Sequence, residues 1–180
     1  LTPKEEFLDG ALKKVETLKR KIPNVFVPGQ FENPKNPETH YFTTAPEIWE
    51  QMGGKIDIFV AGVGSGGTLA GVGKFLKEKE KKIMTVAVEP KSSAALLGRE
   101  PGLHQIQGIG DGFVPKVLDK SIIDTVITVS DEDAINTTRE LAKKEGLLVG
   151  TSSGANVWAA SHLASHKKNV VTVLPDRAER

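Results

Sequence analysis

The sequence contains no cysteine. Disulfides, thiolate nucleophiles and cysteine-ligated metals are therefore excluded. It has no charge excess either, because 24 basic residues face 23 acidic ones for a formal net charge of +1. That balance gives no reason to expect nucleic acid or an anionic membrane as a partner. Short basic runs such as Lys13-Lys14 and 79–82, the latter interrupted by Glu80, read as solvated helix faces. No apolar stretch reaches membrane-spanning length. The opening residues, Leu1-Thr2-Pro3-Lys4-Glu5, are no signal peptide. Together these absences predict a soluble cytoplasmic protein. The chain also opens without Met, so a piece of something longer is expected.

What is present is the composition of a globular chain. Its 180 residues are 38% hydrophobic and 26% charged, enough for one domain, or one domain and a fragment, with a core that needs no staples. Thr2, Pro3 and Glu5 signal a helix start, and Phe7, Leu8, Ala11, Leu12, Val15 and Leu18 recur at helical spacing up to about Lys21. A short strand is predicted over 24–27. Residues 30–37, with Asn33-Pro34 and Asn36-Pro37, read as a loop, and a short helix follows over 46–52. From there strands and helices alternate. Strands are expected over 56–61, 83–88, 125–129, 147–149 and 169–174, and helices over 68–79, 130–145 and 154–165. Residues 92–121 are irregular. The strands are apolar throughout, which predicts an α/β fold: a mostly parallel sheet with helices on both faces.

Between the strand at 56–61 and the next helix stands Gly62-Val63-Gly64-Ser65-Gly66-Gly67-Thr68. Glycines let backbone amides approach a ligand, the helix adds its positive end, and Ser65 and Thr68 supply hydroxyls. This is a site for a phosphate, against the plainer reading of a tight turn. Gly62, Gly64 and Gly67 also satisfy a dinucleotide fingerprint, with Glu89 ending the next strand where a ribose-binding acid would stand. On the loop alone both phosphate readings stay open. No Lys precedes the hydroxyl residue, so it is not a Walker loop.

Six blocks occur in order: Gln30-Phe31-Glu32-Asn33-Pro34, Thr43-Thr44-Ala45-Pro46-Glu47-Ile48-Trp49, Gly64–Thr68, Val88-Glu89-Pro90, Ile106-Gln107-Gly108-Ile109-Gly110, and the run from Glu145 through Gly150-Thr151-Ser152-Ser153-Gly154-Ala155. Together they resemble the cysteine synthase (O-acetylserine sulfhydrylase) family of fold-type II pyridoxal-phosphate enzymes, across essentially the whole chain. The resemblance implies that Gly64, Ser65, Gly66, Gly67 and Thr68 hold the phosphate of pyridoxal 5′-phosphate. It implies that Ser152 hydrogen-bonds the pyridine nitrogen, that Gln30 helps hold the substrate carboxylate, and that Gly108 lies beside the cofactor where a side chain would collide. On residue chemistry alone, Ser152 and Ser153 would cap a helix starting at Gly154, and Gln30 would be a surface loop residue.

Two family features are missing ahead of the glycine loop: the Ser-x-Lys whose lysine binds the cofactor, and the Thr-Ser-Gly-Asn substrate loop. The resemblance places both in an N-terminal part, so residues 1–29 are expected to be a remnant of the smaller domain and 30–180 most of the larger one. A lysine elsewhere could not substitute without sitting beside the phosphate cup, so the chain alone should not turn over. The expected reaction is O-acetylserine plus sulfide to cysteine plus acetate, in a homodimer of the longer protein. Cystathionine synthase, lanthionine synthase or cysteine desulfhydrase activity is the alternative inside the family. A Rossmann NAD-dependent dehydrogenase and a non-catalytic phosphate-binding module are the alternatives outside it. Asp111 departs from the small apolar residue that resembling sequences usually carry there. It is either a turn residue in Asp111-Gly112 or a catalytic group toward a thiol amino acid. His162 and His166 sit at metal-pair spacing but read as an exposed stripe, with no third ligand. No role is assigned to His40 or His104, and Trp49 and Trp158 read as packing residues. Asn136-Thr137-Thr138 spells a glycosylation sequon inside a predicted helix.

Overall fold

The computed structural model describes every residue except 1, 4, 5, 166 and 180. Glu5 of the expected cap and His166 of the histidine pair thus lie outside the described residues. Helix α1 spans Phe7–Lys21, α2 Lys35–Phe42 and α3 Thr44–Gln51. Strand β1 (Ile58–Gly62) leads through α4 (Gly67–Lys79) to β2 (Met84–Pro90). After the irregular segment come β3 (Thr125–Val129), α5 (Asp131–Glu140), α6 (Thr151–Leu163) and β4 (Val170–Thr172).

The four strands are all parallel, in the order β3-β2-β1-β4. Alternation along β1 divides the core. Phe59 and Ala61 pack with Leu69, Val72 and Leu76 of α4 and Ala45 of α3. Ile58 and Val60 pack with Ala134 of α5 and Ala155 and Ala159 of α6. Helices therefore cover both faces, as the apolar strands predict. Among the described residues, helix α1 contributes none to either buried cluster.

Four expectations need correction. Residues 24–27 form no strand: Asn24 turns the backbone at φ 61°, Phe26 is 82% exposed, and no described strand pairs with them. Residues 147–149 make a single antiparallel bridge, Val149 with Arg177. The helix expected over 130–145 is α-helical to Glu140 and then π-helical from Leu141 to Glu145, ending where Gly146 turns left-handed at φ 69°. The loop expected over 30–37 becomes α2 from Lys35. Pro34 caps it and Pro37 lies in its first turn, where a missing N–H leaves no bond unmade.

Helix α2 crosses α4 where two glycines let the backbones meet. A Cβ at Gly67 would stand 1.9 Å from Asn36 Oδ1, and one at Gly71 would stand 2.3 Å from the Pro37 carbonyl oxygen. At the start of β3, Asp124 accepts from Lys77 Nζ at 2.6 Å and from the Thr85 amide at 2.7 Å. Burial pushes the Asp124 carboxyl up, but these donors outweigh it and hold it below the usual carboxylate range. A group with a depressed folded pKa stabilises the fold above its unfolded pKa, and that stability is lost as pH falls through the folded value. Asp124→Asn is expected to lower stability by about 1 kcal/mol at pH 7, a partly exposed pair being worth little more. Melting curves across pH should show the gap between variant and parent closing toward acid.

Candidate active site

The glycine loop leaves the carboxyl end of β1, whose neighbours are β2 on one side and β4 on the other. The chain winds outward from β1 to β3, then returns to place β4 on the opposite edge. Carboxyl ends at such a reversal are where open α/β sheets bind ligands. Gly66 caps α4 in the left-handed region at φ 80°, where a non-glycine residue is strained. Among the described residues nothing accepts from the amides of Gly64, Ser65 or Gly66. With the free amides of the first turn of α4, they form a set of unpaired donors at the positive end of a helix.

A second loop closes over this one. The Gly110 amide donates to the Val63 carbonyl at 3.0 Å, and a Cβ at Gly64 would stand 2.3 Å from the Gly108 carbonyl oxygen. Gly108 has φ 92°, and its absent Cβ would meet nothing nearer than Ser152 Oγ at 3.8 Å. Ser152 is buried in the first turn of α6. It does not cap that helix. The helix begins earlier than expected, at Thr151, and Asp176 accepts from the amide and hydroxyl of Ser153. Thr151 Oγ1 accepts from the Gln107 amide and donates to the Gln105 carbonyl, each at 3.2 Å, which fastens the Gly108 loop to α6. The unpaired amides at the start of α4 fit a phosphate, and the missing side chain of Gly108 leaves that position clear beside the buried Ser152 hydroxyl.

Gln30 is exposed, and its carbonyl accepts from Asn36 Nδ2 at 2.8 Å, while the same nitrogen reaches Ser65 Oγ at 3.0 Å. Asn36 thus ties Gln30 to the glycine loop. Asp111 Oδ2 would lie 3.7 Å from a Cβ at Gly64, and its half-buried carboxylate lines a 260 Å³ cavity with His104, Gly108 and Gln107. Burial pushes the Asp111 carboxyl up, and the nearby His104 pulls it partly back. No described hydrogen bond uses that carboxylate to shape the turn. Gly110 and Gly112, at φ 76° and 87°, supply the turn geometry.

Glu89 is not a ribose acid. It is 2% exposed, and both its oxygens accept from the Leu96 amide at 3.1 Å, so it anchors the segment after β2. His162 donates Nδ1–H to the Trp158 carbonyl at 2.8 Å within α6. Thr138 of the sequon lies in α5 and donates to the Ala134 and Gly150 carbonyls. Sequence reasoning missed Asn36 and His40. The signal for them was the matched four-residue spacing of Asn36 and His40 on one segment and Gly67 and Gly71 on the other.

The family model described as pyridoxal-phosphate dependent enzyme matches residues 2–176. The chain belongs to that family. Cysteine synthase B of Campylobacter jejuni is 52% identical over 182 residues, covering 100% of this chain and 60% of that protein. An O-acetylserine dependent cystathionine beta-synthase from Helicobacter pylori superposes with a TM-score of 0.91 at 47% identity, covering 99% of this chain and 59% of that one. O-acetyl serine sulfhydrylase isoform 3 from Entamoeba histolytica gives a TM-score of 0.90 at 40% identity, covering 100% and 55%. The chain therefore spans about 60% of the length of the curated relative it matches. The cofactor of the family is pyridoxal phosphate, which replaces the dinucleotide reading.

Proposed function

We propose that the protein containing this chain replaces the acetoxy group of O-acetylserine with sulfide, giving cysteine and acetate. The observation that carries this reading is the unpaired amide set at Gly64–Thr68, over which the Gly108 loop closes. The cofactor, when bound, supplies an electron sink for the amino-acid substrate. Gly64, Ser65, Gly66, Gly67 and Thr68 hold its phosphate. Ser152 offers the ring nitrogen a neutral hydroxyl, which stabilises a protonated ring less than a carboxylate would and so favours prompt loss of a β-leaving group. Gln30 gives its side-chain amide to the substrate carboxylate. The lysine that binds the cofactor lies outside this chain, which contributes the larger domain over 30–180 and a remnant of the smaller one over 1–29. The protein acts as a cytoplasmic homodimer on a small amino-acid substrate.

Incubating the cofactor-loaded intact protein with O-acetylserine and sulfide tests the reaction. Stoichiometric acetate and cysteine are expected, and absence of β-replacement with any thiol overturns it. The chain alone makes a separate test. After incubation with pyridoxal phosphate and borohydride reduction, peptide mapping should find no stoichiometric adduct at any single lysine. One such adduct, with turnover, refutes the placement of the catalytic amine outside residues 1–180.

A second reading is favoured by Asp111. Sulfide carries no ammonium, whereas cysteine and homocysteine do, and their thiols must also lose a proton before attacking. A half-buried carboxylate beside the Gly108 loop suits both tasks. The resemblance to a cystathionine beta-synthase supports the same direction. On this reading the protein takes a thiol amino acid as nucleophile, making cystathionine or lanthionine, or cleaves cysteine and releases sulfide.

A further inference from the structure

Two side chains of α2 reach the glycine loop, and each meets one of its hydroxyls. Asn36 Nδ2 lies 3.0 Å from Ser65 Oγ and 2.8 Å from the Gln30 carbonyl oxygen. His40 Nε2 lies 3.3 Å from Thr68 Oγ1, and its Nδ1 lies 3.0 Å from Thr44 Oγ1. Asn36 and His40 are four residues apart and so share one face of α2. That face is pressed onto α4 at Gly67 and Gly71.

The direction of these bonds follows from what each atom can do. The Gln30 carbonyl only accepts, so the Asn36 atom facing it is the NH₂, and the second amide proton goes to Ser65. Ser65 therefore accepts from Asn36 and keeps its own proton for another acceptor. For His40 two tautomers fit the distances. With the proton on Nε2, the ring donates to Thr68 and accepts from Thr44, leaving the Thr68 proton free. With the proton on Nδ1, Thr68 must donate into the ring and can offer a ligand only a lone pair. A phosphate only accepts, so it selects the first arrangement. Burial pushes His40 down from its usual value, so the ring is neutral at pH 7 and has a single N–H to assign.

The geometry points to Asn36 and His40 as positioning residues that hold the hydroxyls of Ser65 and Thr68 as donors toward the cofactor phosphate. This rests on the phosphate-cup reading above. Bonds aligned in one direction polarise each other, so the run Thr44 to His40 to Thr68 strengthens its last donor.

The test uses the intact protein freed of cofactor and two probes, pyridoxal phosphate and pyridoxal, which differ only in the phosphate. Asn36→Leu and His40→Leu should each weaken pyridoxal phosphate about tenfold, the scale of one hydrogen bond to an anion, and leave pyridoxal unchanged. His40→Gln, which keeps a donor near the Nε2 position, should recover most of the loss. In the loaded parent protein, ¹H–¹⁵N correlation of the ring, assigned against His40→Gln, should place the proton on Nε2. A proton on Nδ1, or equal weakening of both probes in the variants, overturns the role of α2. If the parent protein itself binds both probes equally, the cup reading fails and the role of α2 fails with it.

Discussion

Replacing Gly64 by valine in the intact protein is expected to strip it of cofactor. A Cβ there would stand 2.3 Å from the Gly108 carbonyl oxygen, a backbone atom that no rotamer change can move aside. The Gly108 loop cannot easily retreat. The Gly110 amide is bonded to the Val63 carbonyl, and the Val63 amide to Val88, each at 3.0 Å. Overpacking of this kind costs about 1–3 kcal/mol. Here the strain falls between the two loops proposed to flank the cofactor, so on that reading it is felt as lost affinity, about 10- to 100-fold. Gly98→Asn is the control, since a Cβ at Gly98 meets nothing within 4 Å and asparagine tolerates its φ of 71°. After gel filtration the Gly64 variant should emerge colourless and the Gly98 variant loaded. Parental cofactor content in the Gly64 variant would remove the loop from the binding site.

Asp111→Asn should separate two reactions that share a cofactor. If the carboxylate takes the proton of an incoming thiol or pairs with its ammonium, cysteine consumption should fall about 10²- to 10³-fold, within the range for a lost general base. Sulfide consumption should change by no more than a few-fold. Burial raises the Asp111 carboxyl, with His104 opposing, so the acid limb of the cysteine-consuming profile should lie above the usual carboxylate range and vanish in the variant. Stability runs the other way. A carboxyl whose folded pKa is raised stabilises the fold below its unfolded pKa and loses that contribution as pH rises through the folded value. Asp111→Asn should therefore leave stability at pH 7 unchanged or slightly higher, the pattern of a group kept for chemistry. Equal loss in both directions, with lowered stability, would make Asp111 a structural residue of its turn.

Local signals carried much of the fold. All four strands of the sheet were legible because their apolar runs are bounded by turn residues, and α4 because a glycine loop opens it. The run at 147–149 has the same composition, but Gly146 delivers it to a place where, among the described residues, it makes one isolated bridge, Val149 with Arg177. Strand formation is decided by that partner, which composition does not encode. The error at α2 is of another kind. Asn33-Pro34 and Asn36-Pro37 are turn chemistry, yet both prolines fall where a helix start tolerates them, and Gly67 and Gly71, some thirty residues on, make room for it. Site residues followed the same divide. The glycine loop announces itself, whereas Asn36 and His40 acquire a role only from their distant contacts, and Ser152 loses its expected capping role to Asp176.

Drift at positions 36 and 67 should be coupled across relatives of this chain. The volume that a side chain at 67 would need is already filled by the amide oxygen of Asn36. A sequence that acquires alanine at 67 must shed or shorten residue 36, and with it the donor to Ser65 and the tie to Gln30. Neither change is neutral first, so the pair forms a barrier that single substitutions do not cross. Gly71 and the Pro37–Tyr41 turn of α2 repeat the constraint one helical turn along. Aligned relatives that keep asparagine at 36 should therefore show almost no residue but glycine at 67, even where the rest of α4 varies freely.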